Sequence, residues 1–173
     1  WPWPTSISLL APSGGGGFFG CNIDNINIDI DFLVSGTVFD AIRSVDEPVW
    51  VQAEDGVPSY LEPKDSRVIG LFLNGRPHAV PLNVMWFHEV VNAGAGGFAT
   101  AVTHCPLTGS SLAFSQGGVS EGAFGVSGLL FKSNMVMFDR EDPESRWSQM
   151  AAGAICGPDA GSSLDQVPVF EMR

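Results

Sequence analysis

Between Val68 and Val80 the chain reads Val-Ile-Gly-Leu-Phe-Leu, then Asn74-Gly75, then Arg-Pro-His-Ala-Val. Two apolar runs joined by the dipeptide best able to take the two positive φ angles of a tight turn predict a hairpin. Pro77 has no N–H to give a ladder and so places the second strand at a sheet edge. From Ile23 to Ile30 isoleucine alternates with Asp or Asn, the period-two pattern of a half-buried strand. Val84, Phe87, Val90 and Val91 follow helical spacing, which predicts a short helix over 84–91 with His88 at the margin of its buried face. Apolar segments punctuated by Gly, Ser and Asn predict further strands at 98–104, 111–115, 122–131 and 135–139. The pattern as a whole predicts a mainly β fold, one antiparallel β domain with one or two short helices and long Gly-rich loops.

Two segments need separate reading. Residues 1–19 carry Trp1, Trp3, Phe18 and Phe19 around the run Gly14-Gly15-Gly16-Gly17 and form an aromatic, Gly-rich arm, which leaves 20–173 as the single β domain. Four large aromatics are too much apolar surface to stay solvated, so the arm is expected to dock on another subunit, in a homo-oligomer or on a protein partner. Gly122, Gly125 and Gly128 are spaced as in a phosphate loop. No helix pattern or Lys-Ser/Thr pair follows them, so they read as bulges or close backbone approaches.

Composition narrows the function classes. At 173 residues and 45% hydrophobic content the chain can bury one real core. No run of eighteen apolar residues is present, so no membrane span is expected. A net charge of −11, with two lysines and six arginines, offers no basic stripe for phosphates and argues against nucleic acid as a partner. Asp24, Asn25, Asn27, Asp29 and Asp31 lack the order of a calcium loop and read as a solvated strand face. The opening Trp1-Pro2-Trp3-Pro4, with no Met and no leader pattern, gives the expectation of a processed, exported protein in an extracytoplasmic setting. Three cysteines, Cys21, Cys105 and Cys156, cannot all pair within one chain, so at least one thiol is free or ligated.

Five ordered blocks carry a resemblance. They are His88-Glu89-Val90-Val91-Asn92, Val102-Thr103-His104-Cys105-Pro106-Leu107-Thr108-Gly109, Phe124-Gly125-Val126-Ser127-Gly128-Leu129-Leu130, Asn134-Met135-Val136-Met137-Phe138-Asp139-Arg140 and Trp147-Ser148-Gln149. Together they resemble the bacterial domain of unknown function 3179, DUF3179, from about residue 43 to 168. The resemblance implies fold more than activity, and many members of the family look exported or lipid-anchored. The family commonly shows Cys-Pro-Leu-Cys where this chain has Cys105-Pro106-Leu107-Thr108, and tyrosine at the place of His104. The second thiol of a CxxC pair is therefore missing, which counts against a thioredoxin-like role.

Three readings of the chemistry follow. In the first, an exported metal-binding or redox-related domain, Cys105, His88, His104, Met135 and Met137 form a soft ligand set suited to copper, or less well to zinc. Strand alternation sends His104 and Cys105 to opposite faces, so both could hold one ion only if the strand ends before Pro106. Met135 and Met137 share a face and equally suit core filling. The second reading is a Cys-dependent enzyme, with Cys105 as nucleophile, His88 as base, Glu89, Asn92 or Gln149 as orienter, and Ser127, Asn134, Gln149 and Arg140 as polar substrate-binding neighbours. In the third the chain is a non-catalytic subunit of a larger assembly. There Arg140 pairs with Asp139, Arg146 stacks beside Trp147, and Cys156 is a packed small hydrophobe or, as the minor reading, a third soft ligand.

Overall fold

A computed structural model describes residues 26–52, 55, 66–94, 100–116 and 123–173. Among these, thirteen strands and one α-helix follow in the order β1 (Leu33–Ser35), β2 (Val45–Asp46), β3 (Val68–Leu73), β4 (Arg76–Pro81), α1 (Leu82–His88), β5 (Val90–Ala93), β6 (Thr100–Cys105), β7 (Ser110–Ser115), β8 (Phe124–Phe131), β9 (Asn134–Asp139), β10 (Arg146–Ser148), β11 (Gly153–Cys156), β12 (Gln166–Val167) and β13 (Val169–Met172). They form three sheets, ordered β1-β8-β9-β10-β11, β12-β7-β6-β5-β2 and β13-β3-β4. All pairings are antiparallel except β2 with β5. The mainly β expectation is met. The Gly-rich stretches at 14–17, 96–97 and 117–118 lie outside the described residues, as does the arm 1–19.

Strand alternation builds the layers. Val90, Ala101, Cys105 and Phe114 of the second sheet meet Phe124, Val126, Met135, Met137, Trp147 and Ala154 of the first in one buried core. The other face of the second sheet sends Val91, Ala93, Val102 and Ala113 against Ile69, Leu71 and Leu73 of β3, Val80 of β4, and Leu82 and Met85 of α1. The far face of the first sheet, with Leu33, Leu129, Val136 and Ile155, is covered by Ile26 and Ile28. The order through the molecule is thus the segment around Ile26, first sheet, second sheet, then third sheet with α1.

The Asn74-Gly75 hairpin forms as expected, with φ of 51° and 72°, and pairs Leu73 with Arg76 and Phe72 with Pro77 on the edge strand β4. A second tight hairpin, between β8 and β9, turns at Lys132-Ser133, both at positive φ, a conformation that neither lysine nor serine favours. Gly125 and Gly128 are close approaches. A Cβ on Gly125 would lie 2.3 Å from the Phe138 ring, and Gly128 sits at φ 78° beside a register shift between Val126 and Leu129. Gly122 is outside the described residues.

Two expectations are corrected. The described part of 23–30 is not a strand. Ile26 and Ile28 do point inward, but Asn27 bonds Ile155 O and Ala154 O, and a 3₁₀ turn begins at Ile30 with Asp29 capping Asp31 N. The helix runs over 82–88 rather than 84–91 and buries Leu82 and Met85, leaving Trp86 and Phe87 exposed. Glu89, at φ 58°, ends it, and Val90 and Val91 begin β5, whose two faces are both covered. An unbroken apolar run buried on both sides mimics helical spacing over so short a window.

Candidate functional site

The β6–β7 hairpin places different chemistry on each face of the second sheet. Thr103, Cys105 and Ser110 face the first sheet, Cys105 pairing with Ser110 across the ladder. From the opposite sheet Gln149 donates to Thr103 Oγ1 at 2.9 Å and to Ser110 O at 3.2 Å, and accepts from Ser110 Oγ and Asn134 Nδ2, both at 2.9 Å. Asn134 also reaches Ser110 Oγ at 3.0 Å and Thr108 Oγ1 at 2.9 Å, while its Oδ1 is buried with no partner. This polar seam stitches the two sheets together beside a free thiol that is 1% exposed.

The structure brings some of the expected site residues together and engages others elsewhere. Asn134 and Gln149 come to the Cys105 end, and Met135 and Met137 lie in the same core as the thiol. His88 does not hydrogen-bond Cys105; its Nδ1 donates to Arg43 O at 2.7 Å. β6 runs through Cys105, so His104 and Cys105 take opposite faces and cannot share an ion. Ser127 is occupied at the β8 bulge, donating to Val136 O and accepting from Leu129 N. Arg140 lies past the other end of β9 from Asn134, roughly 20 Å away at strand rise, and pairs with Asp46 at 2.9 Å and Ser44 Oγ at 2.7 Å, not with Asp139. Asp139 instead accepts from Ser145 N and Trp147 Nε1, and burial raises its pKa. Arg146 stacks on Phe39 and Phe138 rather than Trp147, and pairs with Glu144. Cys156 is disulfide-bonded and so is not a soft ligand. Cys21 lies outside the described residues. Asn92 bonds Asp46, Gln116 and the backbone of Phe124, which makes it a further tie between the sheets. Glu89 keeps a raised pKa from burial. No group of three His, Cys, Asp or Glu side chains placed to hold a metal occurs among the described residues.

On its other face the hairpin carries a relay that the sequence did not reveal. His104 Nδ1 lies 2.9 Å from Ser111 Oγ, Ser111 donates to Glu171 Oε1 of β13 at 2.6 Å, and Glu171 pairs with Arg67. Ser111 has one proton and gives it to the carboxylate, so Nδ1 must be the donor to Ser111 and the neutral imidazole keeps its lone pair on Nε2. Burial lowers the His104 pKa, opposed by Glu171 and aided by Arg67. The Ser111 hydrogen bond, then Arg67, lowers that of Glu171. A histidine whose folded pKa lies below its unfolded value contributes stability that is complete above the unfolded value and is lost as pH falls through the interval between the two. Relative to a His104→Gln chain, the native protein is therefore expected to lose melting temperature as pH falls below about 6.5. A gap between the two chains that stays constant from about pH 8 to about pH 5 would contradict this assignment.

The relay ties β13, and with it the third sheet, to the rest of the domain. Alternation on that sheet puts Val68, Gly70 and Phe72 of β3, Pro77, Ala79 and Pro81 of β4, and Phe170 and Met172 of β13 on the outward face. All eight are apolar, and Phe72, Phe170 and Met172 are 61%, 56% and 48% exposed. Met172 lies across Gly70, where a Cβ would come within 2.7 Å of its Cε. An antiparallel sheet with one solvated face normally alternates polar outward residues, and this one does not. The signal was present in Val-Ile-Gly-Leu-Phe-Leu, which is apolar at every position as a strand covered on both faces would be. What was missing was β13, four residues after Pro168 with no pattern of their own.

A family model described as a protein of unknown function, DUF3179, matches residues 39–173, starting before and ending after the 43–168 over which the motif blocks run. No curated protein and no solved structure matches the chain.

Proposed function

The chain belongs to the DUF3179 family, and from that premise we propose that it is a non-catalytic, self-associating domain whose copies join through the outer face of the third sheet. The observation that carries this reading is the unbroken apolar character of that face, at eight outward positions on three strands. Exposed apolar area concentrated on one face supports a binding role, because water contact costs roughly 25 cal/mol per Å² of apolar area left uncovered. The disulfide at Cys156 and the acidic surface favour an extracytoplasmic setting, where such bonds persist. Sedimentation velocity tests the reading. The full chain is expected to associate with rising concentration, and the double variant Phe72→Asp, Phe170→Asp to sediment as a monomer with its fold intact. Equal association of both proteins would refute it.

A second reading rests on Cys105, Met135 and Met137 sharing one inter-sheet core, since thiolate and thioether ligands select copper(I). Zinc would want four N, O or S ligands and is less well served. Titration of the full chain with copper(I) against a competing chelator should give one bound ion that Cys105→Ala loses. Equal uptake by the two chains, or none, removes this reading. The thiol-enzyme reading has less behind it, because Cys105 has no imidazole bonded to it among the described residues.

A further inference from the structure

We infer that what covers the outer face of the third sheet is the aromatic segment Trp1–Phe19 of a second copy of this chain, an inference that rests on the self-association reading and names its occupant. Three observations converge on it.

The first is area. A face three strands wide and about six residues long has a footprint of roughly 14 by 20 Å, or about 300 Å². That is well below the roughly 800 Å² per partner of a stable interface. Two such faces stacked on each other are too small, whereas a segment of a neighbouring copy laid across the face adds its own contact to the interface.

The second is chemistry. Residues 1–19 contain no charged side chain and carry Trp1, Trp3, Ile7, Leu9, Leu10, Phe18 and Phe19. The eight outward positions of the sheet contain no charged side chain either. In a chain of net charge −11, this segment and this face are matched in lacking charge.

The third is reach. Ile26 packs on the far face of the first sheet, and the third sheet lies beyond the second. The direct separation is about two sheet spacings, roughly 20 Å, and the path around the sheet edges is longer by the half-widths of the sheets, roughly 12 Å on each. Residues 20–25 span at most about 20 Å when fully extended. Phe18 and Phe19 therefore cannot reach the third sheet of their own chain, so the segment with all four of its aromatics fits that face only when it comes from a second copy.

The test uses three full-length chains in sedimentation velocity: the native chain, a segment variant with Trp1→Ser, Trp3→Ser, Phe18→Ser and Phe19→Ser, and the face variant Phe72→Asp, Phe170→Asp. Each variant alone is expected to weaken association by about 100-fold or more, as loss of a central apolar anchor does. An equimolar mixture should recover association above either alone, because the intact segment of the face variant can dock on the intact face of the segment variant. A mixture that stays monomeric overturns the inference, since it means the segment does not act between copies. A segment variant that associates like the native chain overturns it too, while leaving the face as the self-association surface. A face variant that associates like the native chain overturns both this inference and the reading beneath it.

Discussion

Replacing Gln149 by leucine is expected to cost about 3–4 kcal/mol of unfolding free energy, a large share of the roughly 5–15 kcal/mol that holds a domain of this kind. Every donor and acceptor of that amide is engaged, with Thr103, Ser110 and Asn134, at a side chain with no solvent exposure. Leucine fills the volume but strands the partners, and a buried polar group left without a partner loses its full solvation. The penalty is shared within a network, so Asn134→Leu should cost clearly less in the Gln149→Leu background than alone. Urea unfolding of the four chains of this cycle measures both effects. Additive losses, or a Gln149→Leu midpoint equal to that of the native chain, would show that the seam does not act as a unit.

The second large effect is at Gly128. Its carbonyl accepts from Gly36 N at 2.8 Å and Thr37 N at 3.0 Å, and a Cβ would fall 2.6 Å from Thr37 O and 2.8 Å from Val38 O. At φ 78° an L side chain is strained before it meets those oxygens. Both neighbours are backbone and cannot rotate away, so Gly128→Ala is expected to cost about 3–5 kcal/mol. Gly75 makes the control, because it has φ 72° and open space where its Cβ would be. Gly75→Ala should cost only about 1–2 kcal/mol, and the difference between the two variants isolates the close approach. Equal losses in thermal unfolding would mean that backbone strain alone accounts for both.

How much of this was legible in the sequence depends on the range of the interaction. The β3–β4 hairpin, the edge position of Pro77 and strands β6 to β9 follow from local alternation and turn chemistry, and these the sequence supplies directly. The helix boundary was misplaced because Val90 and Val91 belong to a strand covered on both faces, where period two gives no contrast. The segment around Ile26 shows the opposite case: its alternation is real, yet it reflects packing on the first sheet rather than a ladder. Asn134 and Gln149 were recognisable from the motif blocks, but their partners Thr103, Thr108 and Ser110 were not, since small hydroxyl residues carry no sign of burial. Cys105 and His104 were joined by adjacency in sequence and divided by the strand itself. Arg140 and Ser127 fell to a similar cause: they stand in the same motif blocks as the seam but are used at the far end of β9 and at a bulge.

The most direct measurement of the central claim is oxidative footprinting of Met172, Phe72 and Phe170 in the native chain over a range of protein concentrations. If the outer face of the third sheet is where copies meet, these three side chains lose reactivity as concentration rises, while exposed Phe87 and Leu107, on α1 and in the β6–β7 turn, keep theirs. Reactivity of Met172, Phe72 and Phe170 that stays at its dilute value at every concentration would contradict the account.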